Sequence, residues 1–252
     1  MKALITGASS GIGRDIARVL SNKGYDLILV ARRRDRLEEL KKELNTNVEI
    51  YEYDLSSTFN CMKLYENIKN QDIEVLINNA GFGLAGEFID TKLDKEMDMI
   101  DLNIKAVHTL TKCFLNDFVK KNKGYILNVA SSAGLMPGGP LMATYYATKS
   151  YVTSMTLGIY EELRRNNSNV YIGCLCPGPV DTEFNKVAKV EFAVASLSSE
   201  YVAKYAVTKM FKRKTIIIPG LKMRLACSLN RFSPKKLLLK ITYNIQKRKI
   251  DN

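Results

Sequence analysis

The chain has 252 residues, 46% hydrophobic and 25% charged, with a formal net charge of +12. That length and balance fit one globular domain able to bury a large core, and no stretch approaches the roughly 18 to 20 uninterrupted apolar residues of a membrane span. The charge is uneven: from Lys212 onward twelve Lys and Arg residues face one acid, Asp251, so the tail carries +11 and everything before it +1.

Two residue counts narrow the chemistry further. Cys61, Cys113, Cys174, Cys176 and Cys227 are odd in number and form no Cys-x-x-Cys, so reduced thiols are expected. His108 is the only histidine, which argues against a Ser/His/Asp triad and against a histidine-rich metal site, so no metal is expected. A strand that begins at Lys2 leaves no room for a leader peptide and makes the cytoplasm the expected location.

In chain order, apolar runs predict strands at Ala3–Thr6, Asp26–Ala31, Val48–Tyr53, Val75–Asn78, Gly124–Ala130, Val170–Cys176 and Thr215–Ile218. Helical periodicity lies between them at Ile12–Lys23, Arg34–Leu44, Leu55–Asn70, Asp94–Lys121 and Tyr145–Arg165. Strand and helix in alternation predict an α/β fold, a doubly wound parallel sheet of about seven strands in three layers. Residues 1–220 form the expected catalytic domain, and 221–252 a basic, helical extension.

The first strand runs into Thr6-Gly7-Ala8-Ser9-Ser10-Gly11-Ile12-Gly13 at the start of a helix. Glycines there permit a tight turn and let a pyrophosphate approach the backbone amides and the positive helix end. The second strand ends at Ala31, with no acid to bond a ribose 2′-hydroxyl. Arg32 and Arg33 follow, and guanidinium groups suit a 2′-phosphate. NADP(H) is therefore expected over NAD(H), with Arg32 as first contact and Arg33 as second.

Tyr145 and Lys149 stand four residues apart on a predicted helix, hence on one face. A neighbouring ammonium lowers a phenol whose ordinary pKa is near 10, so Tyr145 is the expected general acid in reduction and general base in oxidation. Tyr146 and Tyr151 have no lysine four residues on and are expected in packing or as pocket wall.

Together with Asn78-Asn79-Ala80-Gly81 after strand four and Pro177-Gly178-Pro179-Val180-Asp181-Thr182 after strand six, these motifs resemble the short-chain dehydrogenase/reductase family over roughly residues 2–220. The resemblance implies a Rossmann-like fold and a homodimer or homotetramer, often paired through the long fifth and sixth helices. It assigns Ser132, thirteen residues before Tyr145, to polarise the substrate oxygen, with Ser131 bonding local backbone. It assigns Asn103 to a water that links Lys149 to solvent, and Lys149 also to the nicotinamide ribose. In the cofactor site it places Asp54 and Leu55 at the adenine, Asn79, Ala80 and Gly81 at the adenosine ribose, and Pro177, Gly178, Val180 and Thr182 at the carboxamide.

The implied activity is interconversion of a ketone or aldehyde and an alcohol by hydride transfer. An isomerase or dehydratase using the same Tyr/Lys pair, a non-catalytic NADP-binding sensor and a peripheral membrane scaffold are the alternatives. The complete Asn103/Ser132/Tyr145/Lys149 set argues against the last two. Apolar residues in 82–87, 134–142 and 183–196 are expected to wall the substrate pocket, with Glu183–Ser196 as a lid. In the extension, the leucines of 237–239 with Ile241 and Ile245 are expected on one helix face and lysines opposite. Three readings of that helix stand open: packing on the body or a second subunit, contact with an anionic membrane surface, and docking of an acidic partner. Nucleic acid is not expected, because no aromatic and basic residues interleave.

Overall fold

The computed structural model describes residues 1–184, 188, 196–230 and 233–250. Strands β1 (Lys2–Thr6), β2 (Asp26–Ala31), β3 (Val48–Glu52), β4 (Ile73–Asn78), β5 (Tyr125–Val129) and β6 (Tyr171–Leu175) are joined by helices α1 (Gly11–Ser21), α2 (Arg34–Glu43), α3 (Thr58–Ile68), α4 (Leu93–Ile100), α5 (Val107–Lys121) and α6 (Ala143–Arg165). There follow short strands β7 (Val180–Asp181) and β8 (Leu197–Ser198), helix α7 (Ser199–Phe211), strand β9 (Ile216–Ile217), and helices α8 (Leu221–Leu229) and α9 (Lys235–Ile250). The main sheet has seven strands in the order β3-β2-β1-β4-β5-β6-β9, and every pair is parallel.

Strand sequence decides the layering. In β2, Leu27 and Leu29 face one core with Ile16 and Leu20 of α1, Leu40 of α2 and Val207 of α7. Ile28 and Val30 face the other, with Leu64 of α3, Phe114 and Phe118 of α5 and Leu163 of α6. Alternate side chains of a strand point to opposite faces, so a continuous apolar run requires helices on both. The doubly wound three-layer sheet expected from the sequence is thus present. Strand order reverses between β1 and β4, and such a switch point opens a crevice at the carboxyl ends of the strands.

Two local features differ from expectation. The helix expected across 94–121 is interrupted by a π-helical segment, Asp101–Ala106, a widened turn of a kind common at functional sites. The residues of α9 also divide. Leu238, Leu239, Thr242 and Gln246 turn toward the body, whereas Leu237, Ile241 and Ile245 are exposed. In α8, Leu221, Leu225 and Leu229 form a second exposed row with the same four-residue spacing. No helix among the described residues is long and apolar enough to cross a membrane.

Candidate active site

A cavity of about 610 Å³ opens at the switch point. Of the residues expected at the cofactor, Gly7, Ser9, Ser10, Gly11, Ile12, Arg32, Arg33, Asp54, Leu55, Asn79, Ala80, Gly81, Tyr145, Lys149, Pro177, Gly178, Val180 and Thr182 line it, with both Ser131 and Ser132. Gly13 and Asn103 lie behind the wall. Residues so far apart in sequence converge because the ends of β1, β2, β4, β5 and β6 all open on this side.

The phosphate end is a close-fitted cradle. Gly7 adopts φ +64, and a Cβ there would lie 2.8 Å from the Ala80 Cα. A Cβ on Gly13 would lie 2.3 Å from Asn79 Nδ2 and 2.5 Å from the Gly7 carbonyl oxygen, so any side chain at Gly13 collides with the groups that shape the turn. Asn79 Nδ2 donates to the carbonyls of Thr6 and Gly7 at 3.0 and 3.1 Å. The Thr6 hydroxyl in turn accepts from the amides of Asn79 and Ala80 at 3.0 and 3.1 Å. These bonds lock the glycine turn to the end of β4. The bare backbone facing the cavity, at the start of α1, fits a pyrophosphate.

At the adenosine end Arg33 is more firmly placed than Arg32. Arg33 donates to the Ser9 and Ser10 hydroxyls at 3.1 and 3.2 Å and pairs with Glu183 at 2.9 Å. Arg36 also pairs with Glu183, and the two guanidinium groups, Arg36 foremost, hold that carboxyl down at about 2. Arg32 is 71% exposed and stands 3.9 Å from Asp54. The order expected from sequence, Arg32 before Arg33, is reversed in the degree of anchoring: Arg33 bonds the glycine-rich turn, and Arg32 leans out over the rim.

At the reacting end, Tyr145 and Lys149 lie on one face of α6 and both are buried. Lys149 Nζ donates to the Val129 carbonyl at 2.9 Å and sits 6.0 Å from the centroid of the Tyr145 ring. Asn103, in the π turn, is fully buried. It bonds both backbone groups of Phe82, accepting from the amide at 3.1 Å and donating to the carbonyl at 2.9 Å, and donates to the Thr148 hydroxyl at 3.1 Å. A Cβ on Gly81 would be 2.8 Å from Asn103 Oδ1 and 3.4 Å from Lys149 Nζ, so both side chains converge on the bare Gly81 backbone.

The electrostatics depart from expectation. Burial pushes the Tyr145 phenol up to about 12, with a hydrogen bond from Ser131 pulling the other way. Burial also pushes the Lys149 ammonium down to about 8. The cost of desolvating a phenolate therefore exceeds the help expected from the lysine. In this site Tyr145 is a protonated donor at neutral pH.

The serine also differs. The resemblance assigns Ser132 and gives Ser131 to local backbone; the Ser131 hydroxyl does donate to the Pro177 carbonyl at 3.5 Å, and its hydrogen bonding also holds the Tyr145 phenol down against burial. Ser131, two residues beyond β5, caps a short 3₁₀ turn, Ser132–Leu135, and accepts from the Ala133 amide at 3.1 Å. The Ser132 backbone amide bonds the Pro177 carbonyl at 2.8 Å. Both serines line the cavity, and Ser131 is the one that acts on the Tyr145 phenol.

Phe82, Met142 and Phe184 wall the cavity as expected. Leu84 and Met136 pack behind, against the Tyr145/Tyr146 cluster. Leu135 joins a different core cluster. The lid expected at Glu183–Ser196, with Val187, Val190, Phe192 and Val194, falls mostly outside the described residues. His108 is exposed and its Nδ1 lies 2.7 Å from the Tyr151 hydroxyl, away from the cavity. All five cysteines are free thiols, and no cluster of metal-binding side chains occurs among the described residues. Tyr146 lines the cavity, as expected of a wall residue, and also accepts a hydrogen bond there. Among the lining residues that sequence reasoning did not single out is Gln246. Gln246 of α9 carries no motif; a single glutamine on the inward face of a Lys/Ile-rich helix was the only signal.

The family model for short chain dehydrogenases matches residues 1–191. An uncharacterized oxidoreductase of Staphylococcus epidermidis is 34% identical over 182 residues, covering 71% of this chain and 78% of that protein. A very-long-chain 3-oxoacyl-CoA reductase of Danio rerio is 31% identical over 195 residues, covering 74% of this chain but only 62% of the reductase. Among solved structures, a short-chain dehydrogenase from Sphingobium yanoikuyae in complex with NADPH superposes with a TM-score of 0.83 at 28% identity, over 94% of each chain. Matched over most of its length and carrying the family's fold, the chain belongs to the short-chain dehydrogenase/reductase family of oxidoreductases.

Proposed function

We propose that the protein reduces a ketone or aldehyde to the alcohol, with NADPH as the favoured hydride donor and the reverse oxidation open in principle. The observation that carries this reading is the placement of Tyr145, Ser131 and Lys149 in the same cavity as the glycine-rich turn. Bound along that cavity, the nicotinamide cofactor supplies the hydride. The chain's own residues handle the oxygen and the proton. Ser131 donates a hydrogen bond to the carbonyl oxygen as negative charge grows on it. Tyr145, protonated across the neutral range, transfers its phenolic proton to that oxygen. Lys149 fixes the floor of the site through the Val129 carbonyl and presents positive charge to the phenolate that results. Asn103 holds the Phe82 backbone that walls the site. A sensor has no use for a buried phenol paired with a serine, which weighs against the non-catalytic alternative.

The preference for NADPH rests on Arg33, held beside Ser9 and Ser10 where a 2′-phosphate would compete with Glu183 for it. A charge-assisted hydrogen bond contributes about 1.5 to 3 kcal/mol. Arg33→Asp is therefore expected to lower the ratio of kcat/KM for NADPH over NADH by roughly tenfold to a hundredfold. Arg32→Asp, at an exposed position, should change it less. An unchanged ratio in both variants would refute the assignment.

The same reading includes a homodimer or homotetramer paired through α5 and α6, which expose Val119, Tyr151 and Tyr160. The exposed rows on α8 and α9, set among lysines, support reversible contact of the extension with an anionic membrane surface. Co-sedimentation of the full chain with phosphatidylserine vesicles should be strong at low salt and weak at high salt. Equal binding to neutral vesicles, or none to either, would end that idea.

A further inference from the structure

Gln246 is a polar group in the active site that the reaction as described does not use. It lies on α9, beyond the residues that match the family model, yet it lines the same cavity as Tyr145. Only 3% of it is exposed. Its Nε2 donates to the Tyr146 hydroxyl at 2.7 Å. Its Oε1 is buried and has no hydrogen-bond partner among the described residues. A buried carbonyl oxygen without a donor is unfavourable, and native structures rarely retain one without a use.

The placement of Gln246 is fixed by packing on both sides of the mouth. A Cβ on Gly138 would lie 3.2 Å from Leu239 of α9, and a Cβ on Gly178 would lie 2.5 Å from Met223 of α8. Asn230, between the two helices, contacts Met136. The extension is thus fastened across the loops that follow β5 and β6, and its one inward glutamine points where a substrate would lie. Tyr146 accepts a hydrogen bond from Gln246, which leaves its own O–H free to donate. The pair therefore presents one acceptor and one donor, side by side, in a cavity otherwise walled here by Phe82, Met142 and Phe184.

We propose that Gln246 and Tyr146 form a second polar subsite that binds a hydrogen-bond donor of the substrate, an amide N–H or a hydroxyl, apart from the carbonyl reduced at Tyr145. The proposal rests on the carbonyl-reduction reading for the identity of the reacting group. A site built to pair a polar hydrogen discriminates against the analogue that lacks it, because its own buried group is then left unpaired.

The test uses two matched pairs of probes with the full chain: a medium-chain keto amide with a free N–H against its N-methyl analogue, and an ω-hydroxy ketone against its methyl ether. Two readouts are taken, kcat/KM with NADPH and, independent of turnover, the dissociation constant of each probe from the NADP-loaded Tyr145→Phe protein by calorimetry. The donor-bearing member of at least one pair should be favoured by roughly tenfold or more in both readouts, and the favoured pair identifies the donor as amide or hydroxyl. In Gln246→Met, made in each background, the ratio should shrink to about twofold or less. Because the ratio is taken within one protein, a general loss of folded enzyme cancels. Tyr146→Phe, which keeps the ring packing, should also shrink it. Ratios near one in wild type, or ratios unchanged in Gln246→Met, overturn the proposal. If no probe is reduced but calorimetry still discriminates, the reductase reading fails and the subsite stands.

Discussion

Tyr145→Phe is expected to lower kcat by roughly a hundredfold to ten-thousandfold, or about 3 to 5 kcal/mol of barrier, while leaving NADPH affinity within a few-fold. The phenol is buried, lines the cavity and is acted on by the Ser131 hydroxyl. Phe keeps the ring, and with it the packing against Phe184, whose centroid is 5.4 Å away, so the loss should fall on chemistry and not on folding. Burial raises the phenol to about 12, so it stays protonated at neutral pH. Steady-state rates with NADPH and cofactor fluorescence titration separate the two effects. A variant that retains most of its turnover would remove Tyr145 from the proton-transfer role, and loss of NADPH binding would show a structural part instead.

Ser131→Ala is expected to reduce kcat by about a hundredfold to a thousandfold, the usual consequence of losing one donor to a developing oxyanion. Ser132→Ala should cost less than about threefold, within the range of a modest local change. The contrast follows from what each residue bonds. Ser131 meets Tyr145, and Ser132 is tied to Pro177 through its backbone. Paired kinetics of the two alanine variants decide the matter, and a larger loss in Ser132→Ala would restore the assignment the family resemblance implies.

Much of this molecule was legible before folding was considered. Continuous apolar strands alternating with helical periods require helices on both faces of a parallel sheet, because Leu27 and Leu29 cannot point the same way as Ile28 and Val30. The glycine-rich turn and the Tyr145/Lys149 pair were legible because each rests on a local rule: a turn too tight for Cβ atoms, or a spacing that puts two side chains on one helix face; the Asn79 segment was legible through the family resemblance. What followed from the resemblance or from order in the chain was less secure. The resemblance assigned Ser132, but which of two neighbouring serines acts on the phenol depends on the 3₁₀ turn after β5, where Ser131 does so. Arg32 came first in sequence, yet Arg33 is the one bonded to Ser9 and Ser10. The tuning of Tyr145 was read from the charge of Lys149, whereas burial dominates, and burial is a property of everything packed around the site. Gln246 shows the limit most plainly. No pattern within α9 marks it as more than a helix residue, and its approach to Tyr146, a hundred residues earlier in the chain, comes from the packing of the extension across the mouth of the cavity. Sequence determined the periodicities and the motifs that obey them, because those depend on neighbours along the chain. The tertiary structure decided which side chains share the cavity and how strongly water is excluded from them, because those depend on neighbours in space.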